Sequence, residues 1–206
     1  MTRPPVAGLY AVTPDWHDTA RLTNAVAAAL AGGARALQYR NKTADSALRL
    51  EQALALSNLC RRAGAAFIVN DDVALALDVD ADGVHLGRTD GDIARARARL
   101  GPDKHLGASC YNRFDLAPAA LSAGADYLAF GSVFPSATKP AAPRAGRELF
   151  AQARALDVPL VAIGGITADN AGEIVAAGAH AVAVISDLFE ADDIARRARR
   201  FAALFT

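Results

Sequence analysis

Eight times along this chain a short run of β-branched or aromatic residues gives way to a longer alanine-rich stretch of helical character, and that alternation restricts the fold more than any other property. The strand-like runs are Gly8–Val12, Ala34–Tyr39, Ala66–Val69, Gly83–Leu86, Lys104–Ala108, Ala125–Phe130, Leu160–Ile163 and Ala181–Ile185. Helical segments fit at 17–31, 43–63, 72–78, 90–100, 113–123, 144–157, 168–177 and 188–204. Four of them run out in the same way, in Ala31-Gly32-Gly33-Ala34, Ala63-Gly64-Ala65, Ala123-Gly124-Ala125 and Ala177-Gly178-Ala179. A glycine there can end the helix in the left-handed conformation, and its small neighbour lets the chain turn into the sheet. Eight such units in series, with no low-complexity tract or linker between them, favour a closed (β/α)8 TIM barrel over an open doubly wound α/β sheet. At 206 residues, 52% of them hydrophobic, the chain can bury one substantial core and is short for two, so residues 1–206 are expected to form one compact domain. Most loops must then be short. The exception is Gly131–Gly146, which carries Pro135, Pro140 and Pro143 and reads as a longer functional loop.

Lysine plus arginine equals aspartate plus glutamate at 22 each, so no global charge draws the protein to nucleic acid or an anionic membrane, and any anion site must be built locally. The two cysteines, Cys60 and Cys110, stand far apart without CxxC spacing, which suits small core residues in a reducing compartment and argues against a disulfide scaffold or structural zinc. Met1-Thr2-Arg3-Pro4-Pro5 leads into the first strand without the apolar region of a secretory signal, and no apolar stretch approaches the roughly 20 residues of a membrane helix. A soluble, cytoplasmic protein is expected, with small molecules as partners and the question of a homo-oligomer left open.

In barrels of this kind the working face lies at the C-terminal ends of the strands, and the residues that follow each strand here are strongly polar. Strand two ends in Gln38-Tyr39-Arg40-Asn41-Lys42, strand three in Asn70-Asp71-Asp72, and strand four is followed by Arg88 and Asp90. Ser109 follows strand five, and Ser132, Ser136, Thr138 and Lys139 follow strand six. The spacing of two along an extended chain points Gln38, Arg40 and Lys42 the same way, and with Lys139 the cations imply a polyanionic ligand. Asp71 and Asp90 close neighbouring strands about 5 Å apart. Their carboxylates can share a hard cation such as Mg²⁺, which takes one or two protein carboxylates and completes its shell with water and phosphate oxygens. Taken singly, each aspartate also reads as a helix N-cap, and Asp72 is assigned that role. Ile163-Gly164-Gly165-Ile166-Thr167 and Val184-Ile185-Ser186 stand where such barrels bind a phosphate through backbone N–H groups. One site therefore suits a diphosphate and the other a single phosphate, as a two-substrate transfer requires. No arrangement demands a nucleophile: Ser109 and Cys110 have no histidine beside them, and His85, inside a strand, reads as a satisfied structural imidazole. His17, His105 and His180 read as helix-start or turn residues, and Trp16 and Tyr10 as packing.

The segments Leu9-Tyr10-Ala11-Val12-Thr13-Pro14, Gln38-Tyr39-Arg40-Asn41-Lys42, Asn70-Asp71-Asp72, Ala81-Asp82-Gly83-Val84-His85-Leu86-Gly87, Gly107-Ala108-Ser109, Asp126-Tyr127-Leu128-Ala129-Phe130-Gly131, Thr138-Lys139-Pro140 and Ala162-Ile163-Gly164-Gly165-Ile166 closely resemble the thiamin phosphate synthase family, in order and over nearly the whole chain. The resemblance implies condensation of 4-amino-5-hydroxymethyl-2-methylpyrimidine diphosphate with 4-methyl-5-(2-hydroxyethyl)thiazole phosphate, giving thiamin phosphate and diphosphate with Mg²⁺ as cofactor. It places the diphosphate and pyrimidine contacts on Gln38, Arg40, Lys42, Asn70, Ser109 and Lys139, and the Mg²⁺ carboxylates on Asp71 and Asp90. Contacts to the thiazole phosphate fall on Ser136, Thr138, Gly165, Ile185 and Ser186, and the catalytic charge on Lys139, Arg40 and Lys42.

The chain departs from the family pattern at Ser136, where threonine is frequent, at Arg88, where glutamine is common, and at Ser109-Cys110-Tyr111 in place of Ser-Thr-His. None of these removes an expected ligand. Two other functions fit the scaffold: a thiazole phosphate tautomerase, which would have no use for the diphosphate cations, and a silent thiamin-phosphate-binding protein, which would have lost a metal ligand or the loop lysine. Both sets of residues are present.

Overall fold

A computed structural model describes residues 4–87, 91–135 and 144–205. Eight parallel strands close into a barrel in sequence order: β1 (Gly8–Val12), β2 (Ala36–Tyr39), β3 (Ala66–Asn70), β4 (Gly83–Leu86), β5 (His105–Tyr111), β6 (Tyr127–Gly131), β7 (Leu160–Ile163) and β8 (Ala181–Val184). The seam is the β1–β8 pairing, with Gly8 opposite Ala181 and Ala11 opposite Val184. Helices follow the strands: α1 (Thr19–Ala31), α2 (Ser46–Ala63), α3 (Val73–Asp78), α4 (Ile93–Leu100), α5 (Ala117–Ser122), α6 (Arg147–Ala153), α7 (Ala171–Ala176), α8 (Ser186–Phe189) and α9 (Ile194–Ala202). The expected single-body (β/α)8 barrel is the fold observed.

Strand side chains alternate between two cores. The inner one holds Val6, Tyr10, Val12, Ala36, Ala66, Ile68, Tyr127, Ala129, Val161, Ala181 and Ala183. Four of these are alanines on the strand faces that point inward at β2, β3 and β8, because eight strands leave an interior just wide enough for a few large side chains. The outer core sets Leu9, Leu37, Phe67, Leu128 and Val182 against the helices through Leu22, Leu56, Phe150, Ile174 and Phe201. Both faces of every strand are thus covered, which is why the strands read as continuous apolar runs. At the N-terminal end Val6 plugs the barrel and the His105 imidazole bonds to the Pro4 carbonyl at 2.7 Å. His105 is accordingly a buried residue at the start of β5 rather than the turn residue expected.

β2 and β6 begin at Ala36 and Tyr127, two residues after the Ala34 and Ala125 expected to open them, while β3 begins at Ala66 as expected. Ala34 and Ala125 still belong to the preceding helix. Ala34, Ala65, Ala125 and Ala179 each donate their N–H five residues back, to Ala29, Cys60, Ala120 and Ile174, while Gly33, Gly64, Gly124 and Gly178 take positive φ. This double closure of the helix end satisfies carbonyls that would otherwise be orphaned. The last expected helix, 188–204, is two helices, because Asp193 accepts the Arg196 N–H at 2.8 Å and starts a new one. Four other aspartates cap helices in the same way: Asp18, Asp45, Asp72 and Asp92 accept from the N–H three residues on.

Outside the barrel, Gln52 of α2 is fully buried and ties the loops after β1 and β2 together. Its Oε1 accepts from Tyr39 Oη at 2.9 Å and Asn41 Nδ2 at 3.1 Å, and its Nε2 donates to the Trp16 carbonyl at 2.9 Å. Removing the amide leaves the Tyr39 hydroxyl without its partner, at about 1–3 kcal/mol, and takes one of two bonds from each of Asn41 Nδ2 and the Trp16 carbonyl, which stay bonded to each other at 2.9 Å, at about 0.5–1.5 kcal/mol apiece. Gln52→Leu should therefore lower the free energy of urea unfolding by at least about 2 kcal/mol; an unchanged midpoint and slope would show the loops to be held by other means.

Candidate active site

The rim at the C-terminal ends of the strands is assembled from β1 outward. Thr13, fully buried, bridges to the next unit: its Oγ1 donates to the Arg40 carbonyl and accepts from the Arg40 N–H, both at 2.8 Å. Asp15 then reaches the same segment. Both its carboxylate oxygens lie 3.0 Å from Arg40 Nη1, and Oδ1 accepts from the Lys42 N–H at 2.8 Å. With side chains 29% and 33% exposed, this ion pair adds at most about 1 kcal/mol to stability. Its effect is geometric: it holds the guanidinium of Arg40 and the turn leading to Lys42 in one arrangement. Asp15 had no assigned role in the sequence; the only signal was a carboxylate two residues beyond Thr13.

Lys42 crosses to the neighbouring strand end, where its Nζ stands 3.5 Å from Asp71 Oδ2. Asp71 sits at a φ of 63°, with its N–H donated to the His85 carbonyl at 2.9 Å, while the next residue, Asp72, caps α3 and pairs with Arg49 at 3.0 Å. The left-handed backbone of Asp71 separates two adjacent carboxylates into different tasks, one on the rim and one in a helix cap. Asp92 caps α4. Gln38 and Asn70 end the inward faces of β2 and β3, and Ser109 lies on β5 with its Oγ 2.9 Å from His85 Nε2. β5 runs to Tyr111, three residues beyond the expected end, through a register shift against β6 between Ser109 and Tyr111, so that Ser109 lies inside the strand. Cys110 is buried behind it, and burial pushes its thiol up to about 11, which leaves it unreactive near neutrality.

On the other side of the mouth, α8 is a single turn that starts at Ser186, with Ile185 as its N-cap. Helix geometry leaves the first N–H groups of such a turn without intrahelical acceptors, as phosphate sites after strands seven and eight require. The charge of Asp187 in that turn is engaged elsewhere, by Arg197 and by the Ala168 N–H. Gly164 and Gly165 both have positive φ, at 100° and 66°. The crowding around them comes from the protein itself: a Cβ on Gly165 would stand 2.3 Å from the Pro135 carbonyl oxygen, and one on Gly164 2.4 Å from Ser132 Oγ. The diglycine therefore brings the loops after β6 and β7 together, and Asn170 Nδ2 fastens the Gly165 carbonyl at 3.0 Å. Arg88, Asp90, Ser136, Thr138 and Lys139 lie outside the described residues. Gln38, Arg40, Lys42, Asn70, Asp71, Ser109, Gly165, Ile185 and Ser186 all lie at the C-terminal end of the barrel. No helix among the described residues is long and apolar enough to cross a membrane.

Polar groups gathered at the C-terminal end of a closed (β/α)8 barrel are placed as in the active sites of barrel enzymes. A family model described as thiamine monophosphate synthase matches residues 9–188. The chain is 64% identical over 202 residues to the thiamine-phosphate synthase of Chromobacterium violaceum, covering 98% of each, and 62% identical over 208 residues to that of Methylobacillus flagellatus, covering 100% of each. Among solved structures it is similar to thiamine phosphate pyrophosphorylase from Pyrococcus furiosus, with a TM-score of 0.86 and 37% identity over 97% of this chain and 95% of that one. The chain belongs to the thiamine monophosphate synthase family, transferases that condense the pyrimidine and thiazole moieties of thiamin phosphate.

Because Asp15 holds both Arg40 and the Lys42 backbone, Asp15→Ala should lower kcat/KM by about 10- to 100-fold through misplacement of charge alone. Thermal unfolding should stay within a few degrees of the parent. Unchanged kcat/KM would show that Arg40 needs no such support.

Proposed function

We propose that this chain joins 4-amino-5-hydroxymethyl-2-methylpyrimidine diphosphate to 4-methyl-5-(2-hydroxyethyl)thiazole phosphate by a dissociative substitution, releasing diphosphate. The observation that carries this reading is the meeting of Lys42 and Asp71 at 3.5 Å beside Arg40, a cation and a carboxylate from separate βα units on one rim. A diphosphate accompanied by a hard divalent cation needs both signs of charge at one place.

A rim carboxylate such as Asp71 is a donor of the kind Mg²⁺ takes. Asp72 and Asp92 are spent as helix caps; Asp71, on the rim, and Asp90, outside the described residues, would hold the ion with phosphate oxygens and water. When bound, Mg²⁺ supplies positive charge to the departing diphosphate. Lys42, 55% exposed and loosely paired, can exchange its contact with Asp71 for one with the ligand at little cost.

In the reaction, the bond between the pyrimidine methylene carbon and the diphosphate oxygen breaks, and its electron pair leaves with diphosphate. The electron-rich aminopyrimidine delocalises the resulting cation, and the thiazole nitrogen lone pair forms the new C–N bond. No proton moves at that nitrogen, so no general base is required there. Arg40, Lys42 and Lys139 stabilise the charge that grows on the leaving oxygens, where preorganised groups count for most. Gln38, Asn70 and Ser109 hold the pyrimidine. Ser136, Thr138, Gly165, Ile185 and Ser186 hold the thiazole phosphate, with the start of α8 directing N–H groups at its oxygens. A cytoplasmic location belongs to the same reading, since Cys60 and Cys110 are both free thiols.

A Mg²⁺-dependent diphosphate-release assay tests the reading, run with both substrates and with each withheld. Release only when both are present is expected. Asp71→Ala and Lys139→Ala should each lower turnover on the order of 10²-fold or more, the scale of losing one preorganised charge stabiliser. Near-normal turnover in either variant would remove that residue from its role, and isomerisation of the thiazole without the pyrimidine diphosphate would replace the reaction.

A further inference from the structure

Five polar side chains cross the barrel interior in one unbroken hydrogen-bonded line. Gln38 Nε2 donates to Tyr10 Oη at 3.0 Å, and the hydroxyls of Tyr10 and Tyr127 lie 3.0 Å apart. Tyr127 Oη stands 3.1 Å from His85 Nδ1, and His85 Nε2 stands 2.9 Å from Ser109 Oγ. The line passes from β2 through β1, β6 and β4 to β5. Its two ends, Gln38 and Ser109, are both assigned to the pyrimidine substrate. Tyr10 and Tyr127 are 1% exposed and His85 7%, so bulk water is a poor substitute for any intermediate link.

Space for the middle of the line is made by a missing side chain. A Cβ on Gly107 would stand 2.1 Å from Tyr127 Cζ, 2.4 Å from its hydroxyl and 2.5 Å from His85 Nδ1. The Tyr127 and His85 rings stack beside that glycine with centroids 5.5 Å apart. β5 thus carries glycine where the two rings meet, and any larger residue there would sever the Tyr127–His85 bond.

The supply of protons sets the direction of the line. Each phenol has one proton to donate, and a neutral imidazole has one. Burial holds both phenols protonated, well above the usual tyrosine range. Gln38 enters through its NH2 group, so Tyr10 accepts from it and donates its own proton to Tyr127. Tyr127 in turn donates to His85 Nδ1, which leaves the imidazole proton on Nε2, directed at Ser109 Oγ. The Ser109 hydroxyl hydrogen remains for a ligand, and Gln38 keeps its carbonyl oxygen for the same purpose. In the reverse order the Tyr10 proton would face the Gln38 NH2 group, donor against donor.

We infer that His85, as the Nε2–H tautomer, is a positioning residue for the pyrimidine: through Tyr127 and Tyr10 it fixes Ser109 as a hydrogen-bond donor and Gln38 as an acceptor. That polarity matches an aminopyrimidine, which presents an amino donor and ring-nitrogen acceptors. The inference rests on the assignment of Gln38 and Ser109 to the pyrimidine.

Tyr127→Phe removes the central hydroxyl and keeps the ring. It should raise KM for the pyrimidine diphosphate about 10-fold, the effect of one or two lost hydrogen bonds, and leave KM for the thiazole phosphate within about twofold. Tyr10→Phe cuts the line at its next link and serves if the first variant fails to fold. In the parent protein, ¹⁵N NMR should show His85 protonated at Nε2 and bare at Nδ1. His85→Asn combined with Ser109→Ala should raise KM for the pyrimidine diphosphate by less than the product of the two single effects. An Nδ1–H tautomer, equal rises in both KM values, or additive effects in the double variant would overturn the inference. If Gln38→Ala and Ser109→Ala leave KM for the pyrimidine diphosphate unchanged, the pyrimidine assignment itself falls. If they raise it while Tyr127→Phe and Tyr10→Phe do not, only the line between them falls.

Discussion

Closure of eight parallel strands on one another is the constraint from which the rest of the structure follows. Once β1 pairs with β8, every strand ends on the same rim, and residues as distant in sequence as Lys42 and Ser186 come to one face. Closure also limits what the interior can hold. The alanines of β2, β3 and β8 make room for Tyr10 and Tyr127, whose hydroxyls must then find partners because no water reaches them. The polar line from Gln38 to Ser109 is the solution: its bonds satisfy the interior and deliver two oriented groups to the mouth.

Charge on the rim is arranged by commitments made outside it. Five aspartates end in helix caps, and Asp126 and Asp82 accept strand N–H groups at the opposite end of the barrel. Asp71 is distinguished from Asp72 by one left-handed residue, and Asp15 turns Arg40 without burying it. These pairs contribute little stability at their exposures. They spare the site the entropy of ordering long cationic side chains when a ligand arrives.

Much of this was legible in the sequence, for identifiable reasons. Strands buried on both faces leave short apolar runs, so all eight are legible, whereas Arg40 and Lys42 lie past the end of β2 in a turn held by Asp15, where strand alternation no longer applies. Strand starts were misplaced where an alanine after glycine looks like the first residue of a strand but bonds back into its helix, as Ala34 does to Ala29. The segment 188–204 reads as one helix until the Asp193 cap divides it. Asp15 escaped notice because its partner, Arg40, is 25 residues away. His85 was correctly taken as a satisfied imidazole, yet its partners, on β5 and β6, depend on which inward residues meet across the barrel, and alternation within one strand holds no such information.

The packing of Gly165 against the backbone of Phe134 and Pro135 has an evolutionary reading. Loops on a barrel rim can in principle diversify one at a time, each hung on its own strand. Here two adjacent loops share a wall with no thickness to spare, so a side chain gained at 165 would displace the stem of the segment that carries Ser136, Thr138 and Lys139. Divergence in how this scaffold receives its phosphorylated partner would therefore have to proceed through paired changes, and descendants should inherit the two loops as one unit.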